Sequence, residues 1–595
     1  MRDLDQLAAE LYTAGLLDDA TLVPANVLAE PWAEAHGIVA AIDGRAQVNG
    51  ASCGLRLGFT RTFPYRLPVV FALDPALPGT IPHVFAYGHV CFQEQEGLLL
   101  DVDDPVGVVR DALARAIEVL QRGVRGENRS DFIDELALYW PGAYEGTIAF
   151  AVGDVPVRIG SFAHLGAVKL FVRDRARASG ALASLGLARK GSTFDDLLVE
   201  SSINMTWQDG LYIPLTQVPR PPSPLPLAAW SARQIASFVR RNLSPKHRRR
   251  LAKLIRGRAP AETFVILRVP RPRGADHLVG VRYAGIRGEH PLAKDPGEAT
   301  VTQFKVVRRD PTYLLARGGA VDLRDRKVLL IGCGAVGGHI ALELARAGVG
   351  HIHLVDPDIL RPENAHRHVL GMPTLPLPKA VLLAEELRRR YPGCSSQATV
   401  AAIEDALGGT VAPATFDLVL AATGDPNVDR AVNERLFSDL RGQRALLFTW
   451  LEPLGIGGHA VLLHGPERSG APPAGGCLDC LFTPHPADDA PLLANRAAFA
   501  APGQNFTREL AGCGNAFTPY SSLDAMRTAE LATRLAIDAL RGSQRGPILR
   551  SWKGSDVEFQ REDLRTSSRY TVDAETLDRG VAHFAATTCR VCGSH

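Results

Sequence analysis

The stretch Lys327–Asp358, KVLLIGCGAVGGHIALELARAGVGHIHLVDPD, decides how the rest of the chain is read. Val328 to Ile331 is an apolar run that predicts a buried strand, and Gly332, Gly334 and Gly337 follow as a turn. An Ala/Leu-rich helix comes next, and His351 to Val355 predicts a second strand, closed by Asp356. Glycines at this spacing let the backbone turn tightly and approach a phosphate at the helix N-terminus, while an acid about twenty residues later reaches a ribose hydroxyl. The stretch therefore predicts a nucleotide site in an α/β fold. Alone it suits NAD or FAD, and the residues beyond it have to decide the cofactor.

Composition bounds what surrounds it. A chain of 595 residues predicts roughly three or four domains at about 150 residues each. Hydrophobic residues at 46% and charged ones at 22% are the balance of a soluble globular protein. With 66 Lys and Arg against 64 Asp and Glu there is no global field to draw in nucleic acid or a membrane surface, and neither is expected as a partner. No run approaches about twenty uninterrupted apolar residues, and the opening MRDLDQLAAELYTAG is an acid-containing amphipathic helix without a signal-type apolar core. A cytoplasmic location is expected.

Nine cysteines, an odd number, argue for metal and thiol chemistry over a disulfide framework. Four form two C-x-x-C pairs, Cys477/Cys480 and Cys589/Cys592, in Gly- or Thr-flanked loops. Two such knuckles brought together by folding give a tetrahedral sulfur cage suited to structural Zn²⁺, with one knuckle returning across a whole domain. The competing reading is a set of loop cysteines placed by chance.

Downstream of the glycine turn come Asp358, then Asn364 and Arg367 in PENAHRHVLG, Lys379 in LPKAVLLAEELRRRYP, and Asp425 in LVLAATGDPNVDRAVNE. This series resembles the adenylating core shared by ThiF, MoeB and the ubiquitin-activating enzymes: a glycine turn, Asp-x-Asp, Asn-x-x-Arg, a lysine on the next helix, and Asp-Asn-x-x-x-Arg after a later strand. This chain departs from it at Pro426, where the family commonly has Asn. The resemblance implies ATP. Adenylation makes a carboxylate attack the α-phosphorus, so triphosphate and pyrophosphate charge must be neutralised, a task suited to Arg367, Lys379 and Mg²⁺ held by Asp425. It further implies that Asp356 holds the ribose and that Asp358 and Asn364 lie near the phosphates or the adenosine edge. An NAD enzyme has no need of two further cations and a magnesium-type carboxylate.

The first 145 residues predict a small α+β domain. A helix to about Leu17 leads into GLRLGFTRTFPYRLPVVFAL, with apolar residues at strand spacing, then IPHVFAYGHVCF, then the helix PVGVVRDALARAIEVLQRG. A Pro-bounded aromatic segment followed by Gly-x-x-Cys resembles the ubiquitin-conjugating fold, whose motif runs His-Pro-Asn, several residues, Gly-x-x-Cys. Pro82, Gly88 and Cys91 match it, and His83 stands where the asparagine belongs. The resemblance implies that Cys91 carries a protein modifier as a thioester and that His83 supplies an oxyanion hydrogen bond in a pH-sensitive form. Read without it, Cys91 is a small buried strand residue.

Residues 146–304 predict a middle domain of mixed β segments (TIAFAVGDVPVRIGSF, GAVKLFVRD, TFVILRVP, HLVGVRYAGI) with a Pro-rich connector, PRPPSPLPLAAW. The helix-like run SPKHRRRLAKLIRGR is a solvated face or a site for phosphate or acidic partners. In the last domain, 305–595, Cys513 lies between the two knuckles in a Gly-Cys-Gly loop before a long helix. Activating enzymes place a thioester cysteine in that order, which implies the role for Cys513.

A conjugating domain ahead of an activating domain resembles the enzymes of bacterial CBASS anti-phage operons. That implies a protein modifier with a free C-terminus, such as the nucleotidyltransferase of those operons, a target amine as acceptor, relay through Cys513 and Cys91, and a homodimer. Rival readings are a ThiF/MoeB-like sulfur-carrier adenylyltransferase, an NAD or FAD oxidoreductase, and a scaffold without turnover.

Overall fold

The structure is a computed structural model that describes residues 4–77, 81–140, 148–150, 166–173, 185–187, 205–219, 230–257, 259–272, 274–294, 298–308, 311–319, 323–373, 375–391, 393–409, 411–437, 444–464, 475–484, 492–509, 516–544 and 546–593. The chain divides into two compact units, Met1–Ser192 with Leu198–Arg308, and Thr193–Leu197 with Arg309–His595.

The first unit opens with the helix Leu4–Thr13 and a sheet of five strands in chain order: β1 (Asp18–Leu22), β2 (Ile38–Val48), β3 (Ala51–Thr60), β4 (Val69–Ala72) and β5 (His89–Val90). All neighbours pair antiparallel. The β2–β3 hairpin turns at Asn49-Gly50, both with positive φ, the turn whose twist matches its flanking strands. The helix Pro105–Val124 starts where Asp104 accepts a hydrogen bond from the Gly107 N–H and Pro105 takes the first turn. Its apolar stripe of Val109, Leu113, Ala116 and Leu120 packs on Leu55, Leu57, Val70 and Val90 of the sheet. Truncating Leu113 to Ala there costs about 2–5 kcal/mol.

The remaining strands of this unit are β6 (Ile148–Phe150), β7 (Gly166–Arg173), β8 (Leu185–Leu187), β9 (Met205–Pro214), β10 (Glu262–Val269), β11 (His277–Arg287) and β12 (Glu298–Arg308). They close as a barrel in the order β10-β11-β12-β6-β8-β7-β9, so the mixed β segments of the sequence belong to one closed sheet. Barrel residues Val265, Val281 and Tyr283 share a core with Phe132 and Leu136 of the preceding short helices, Asp131–Asp134 and Leu136–Tyr139, and with Trp140, which follows them. The Trp140 indole N–H donates to the Gly280 carbonyl (3.1 Å), so these helices are fastened to the barrel.

The second unit contains a seven-stranded sheet built from β13 (Leu323–Ile331), β14 (Val349–Val355), β15 (Ser395–Thr399), β16 (Leu418–Ala421), β17 (Ala445–Leu451) and β18 (Gly457–His464). Two short hairpins follow, β19 (Phe482–Pro484) with β20 (Leu493–Asn495) and β21 (Arg508–Glu509) with β22 (Ala516–Phe517), before β23 (Ile548–Lys553) returns to the sheet edge. The order is β15-β14-β13-β16-β17-β18-β23, parallel from β15 to β17 and antiparallel beyond. The helices Ala335–Arg346, Lys379–Arg390 and Ser522–Arg541 cover one face, and Ile403–Leu407 and Pro426–Leu436 the other. Strand order reverses between β13 and β16, and in a doubly wound sheet the ligand crevice opens at the carboxyl ends of the strands at that point. No helix among the described residues is long and apolar enough to cross a membrane.

Candidate functional site

The loop after β13 enters that crevice. Gly332 has φ +89° and backs onto the end of β16, where an added Cβ would lie 2.5 Å from the Ala422 carbonyl oxygen. A Cβ on Gly337 would stand 1.9 Å from the Gly332 oxygen, so both positions require glycine for packing. Gly334 precedes the helix Ala335–Arg346 as its N-cap, offers no side-chain cap, and has nothing within 4 Å of an added Cβ. The amide end of this helix thus opens on free space, as a cradle for an anion requires.

Two buried side chains fix Cys333 from opposite sides. Asp356 accepts from the Cys333 N–H (2.6 Å) with one carboxylate oxygen and from the Asp358 N–H (2.7 Å) with the other. His368 donates from Nε2 to the Cys333 carbonyl (2.7 Å), while its Nδ1 accepts from the Leu370 N–H (3.3 Å). Burial, first of its causes, lowers the His368 pKa, in keeping with this neutral ring. His368 escaped sequence reading although it adjoins Arg367; its signal was only that adjacency.

Lys379 is the first residue of its helix, where a cation opposes the helix dipole. Its ammonium reaches Asp358 at 2.8 Å; the lysine side chain is 11% exposed and the aspartate 67%. Arg367 lies with its guanidinium 5.1 Å from the Tyr520 ring centroid and 5.9 Å from that of Phe517. The Asn364 side-chain oxygen accepts from the Arg361 N–H (3.0 Å) and shapes the turn before Arg367. Asp425, exposed at the end of β16, caps the helix Pro426–Leu436 by accepting from the Asn427 N–H (2.8 Å). Behind it Asp429 is buried, accepts from the Thr423 hydroxyl (2.7 Å), and has its carboxyl pushed up to about 7, chiefly by burial. The structure therefore links Gly332, Gly334, Gly337, Asp356, Asp358 and Lys379 through one loop system, with the Asp425 turn against Gly332.

The four knuckle cysteines converge on the other face of the sheet. Their sulfurs all lie within 4.8 Å of one another, with Cys477 to Cys589 at 3.6 Å and Cys480 to Cys592 at 3.3 Å. These separations are far beyond a disulfide bond of about 2.05 Å and bracket the edge of a tetrahedron with metal–sulfur bonds of about 2.3 Å. A four-thiol donor set of this size fits Zn²⁺. Asp479, between the first two cysteines, pairs with Arg430 (2.7 Å) and Arg590 (3.3 Å), and Arg590 also pairs with Glu434 (2.9 Å). Arg430, the arginine of the Asp-Asn-x-x-x-Arg pattern, thus ties its helix to the knuckle.

In the first unit, Cys91 follows β5 and is half-buried. A Cβ on Gly88 would fall 2.0 Å from the Ala72 carbonyl oxygen, which accounts for the glycine three residues ahead. The Cys91 N–H donates to the His83 carbonyl (2.8 Å), and the His83 N–H donates to the Tyr139 hydroxyl (2.6 Å). Both His83 ring nitrogens meet carboxylates, Nδ1 at Glu135 (2.8 Å) and Nε2 at Asp131 (3.1 Å). The hydrogen bond to Glu135 is the largest cause holding the His83 pKa above its ordinary value. Burial, then Glu135 and Glu94, push the Cys91 thiol up. Asp131, Glu135 and Tyr139 escaped sequence reading; their i, i+4, i+8 spacing in SDFIDELALYW was the available signal. Cys513 lies outside the described residues.

Comparison with known proteins follows the same division. Residues 311–594 match the ThiF family, and residues 34–148 match the family described as Prokaryotic E2 family B. The ATP-dependent ubiquitin transferase-like protein Cap2 of Pseudomonas aeruginosa is 26% identical over 515 residues, covering 83% of this chain and 86% of that protein. Cap2 of Vibrio cholerae is 28% identical over 292 residues, 44% of this chain and 46% of that protein. Among solved structures, Escherichia coli MccB with ATP is 18% identical, covers 47% of this chain and 69% of its own, and has a TM-score of 0.32.

Proposed function

This chain joins a Prokaryotic E2 family B domain to a ThiF family domain, and from that premise we propose that it activates a protein C-terminus with ATP and conjugates it to an amine. The observation that carries the reading is Lys379 beside Asp358 at the switch point: a cation at the positive end of one helix, near the open amide end of another. Three positive elements suit a triphosphate and exceed what a dinucleotide asks.

In the proposed sequence the modifier carboxylate attacks the α-phosphorus of ATP and pyrophosphate leaves. Lys379 and Arg367 stabilise the charge that develops, Asp356 holds the ribose with the lone pairs its two backbone bonds leave over, and Asp358 and Asn364 line the site. Mg²⁺ at Asp425 would screen phosphate charge. The Cys513 thiolate then attacks the acyl carbon and AMP leaves. The Cys91 thiolate attacks that thioester, freeing Cys513, and a target amine attacks the second thioester, leaving an amide and the Cys91 thiol. His83 fixes the Cys91 loop through its carbonyl, and its ring can serve an oxyanion only if one carboxylate lets go. Zn²⁺ in the Cys477, Cys480, Cys589, Cys592 cage would pin the C-terminal turn to the sheet.

Domain limits near residues 145 and 304, a homodimer, a cytoplasmic location and a place in CBASS defence complete the reading. The test is incubation with a candidate modifier, ATP and Mg²⁺, followed by non-reducing gels of wild type, Cys513→Ala and Cys91→Ala. Two reducible adducts are expected in wild type, none in Cys513→Ala, and only the first in Cys91→Ala. Pyrophosphate release without any adduct favours a sulfur-carrier adenylyltransferase, and neither signal sinks the proposal.

A further inference from the structure

Between Arg240 and Arg258 the chain has nine Lys or Arg and no Asp or Glu, which leaves 57 basic against 64 acidic residues elsewhere. The centre of this run is the helix Pro245–Leu254, in which Leu251 is buried while Lys246, Arg248, Arg249, Arg250 and Lys253 are exposed. Lys246, Arg249, Arg250 and Lys253 recur at i, i+3, i+4 and i+7 and, with Ser244 and Pro245, line a cleft of about 680 Å³. None of the four pairs with a carboxylate among the described residues. Other arginines of the same unit do, as in Arg56–Asp43, Arg271–Asp134 and Arg282–Glu262. Like charges at i and i+4, twice over here, work against the helix, a cost that a counter-charge from outside relieves.

The size and setting of the row select the counter-charge. Seven residues of helix span about 10 Å, enough for a few carboxylates. The cleft has no aromatic side chain on which a base could stack, and the acid excess over the rest of the chain opposes a long polyanion. Leu251 belongs to the core that contains Phe132, Leu136 and Trp140. Those residues alternate along the chain with Asp131, Glu135 and Tyr139, which hold the His83 and Cys91 loop. The cleft helix and the segment that holds the Cys91 loop therefore share one hydrophobic core.

We propose that this cleft docks an acidic segment of the acceptor protein that takes the acyl group from Cys91; the proposal rests on the conjugation reading above. The full chain, loaded at Cys91 with a candidate modifier, is offered either free lysine or a twelve-residue peptide with one lysine among glutamates. Wild type should discharge faster to the peptide than to an equal concentration of lysine. Neutralising the row (Lys246→Gln, Arg249→Gln, Arg250→Gln, Lys253→Gln) should leave discharge to free lysine unchanged. The same variant should weaken anisotropy-monitored peptide binding about 30-fold. The double variant Arg249→Gln/Arg250→Gln should lose an intermediate share and guards against misfolding of the quadruple one. Equal peptide binding by wild type and variants, or tighter binding of a twelve-base-pair DNA duplex than of the peptide, overturns the proposal. Failure of discharge even to free lysine indicts the conjugation reading instead, and the acceptor role falls with it.

Discussion

In the crevice between β13 and β16 the glycine loop is fixed by close backbone packing, Gly332 against Ala422 and Gly337 against Gly332, and by two buried side chains, Asp356 and His368, that bond Cys333 at its N–H and its carbonyl. Around Cys91 the loop is fixed from a distance, by Asp131, Glu135 and Tyr139, which lie 48 to 56 residues along the chain from His83 in the contacts they make. The first construction is buried and leaves little room for a change of shape. The second is partly exposed and centres on the His83 ring, whose pKa Glu135 holds above its ordinary value, so it is the more easily adjusted of the two.

The comparison breaks most sharply at the sulfur cage, which supports the crevice unit from behind. Cys477→Ser with Cys589→Ser should abolish binding of one zinc per chain, read by atomic emission. It should also lower the Tm of that unit by about 10 °C, corresponding to a loss of about 3–5 kcal/mol. An unchanged Tm would mean that the cage is not structural. Next in size is Lys379→Ala, which should slow ATP–pyrophosphate exchange about 100-fold through lost charge stabilisation, with the fold intact by circular dichroism. A loss below about threefold would remove Lys379 from the chemistry. On the other side, Glu135→Gln should speed alkylation of Cys91 by iodoacetamide, since Glu135 raises that thiol. It should also slow discharge to lysine about tenfold, because the loop loses its clamp. Faster alkylation together with unimpaired discharge would leave the clamp without a function.

The same difference explains what was legible in the sequence. The strand, glycine turn and helix of Lys327–Asp358 are local, and their spacing carried the nucleotide turn and the α/β class, while the reversal of strand order between β13 and β16 joins segments far apart in the chain and was not legible. The C-x-x-C pairs were legible because metal-ligand spacing repeats within each pair, although 112 residues separate the sulfurs that meet. The middle strands gave no sign of closing into a barrel, since closure pairs β9 with β10 and β12 with β6 across long intervals. His83 is the clearest case of an incomplete reading. Its place in the conjugating motif suggested an oxyanion donor, while the structure commits both ring nitrogens to carboxylates of a segment that carries no motif.

That commitment yields the smallest effect and the one most specific to the Cys91 side. The folded-state pKa of His83 is raised above its ordinary 6.5, first by the hydrogen bond to Glu135 and then by the charges of Glu135 and Asp131, against a lowering by burial. A raised histidine binds its proton more tightly when folded, so its contribution is full below pH 6.5 and is lost as pH rises through the folded value. The unit carrying Cys91 should therefore lose on the order of 0.5–1 kcal/mol above pH 6.5, a fall of a few degrees in its Tm. The loss should be absent in His83→Gln, whose amide keeps hydrogen bonding without titrating. His368, held neutral by burial in the crevice, adds no comparable loss as pH rises, but Asp429 of the second unit, its carboxyl pushed up to about 7, costs stability as pH rises to that value, so His83→Gln and not the second unit is the control. Parallel pH profiles for wild type and His83→Gln would show that the His83 clamp adds no titrating stability to the Cys91 side.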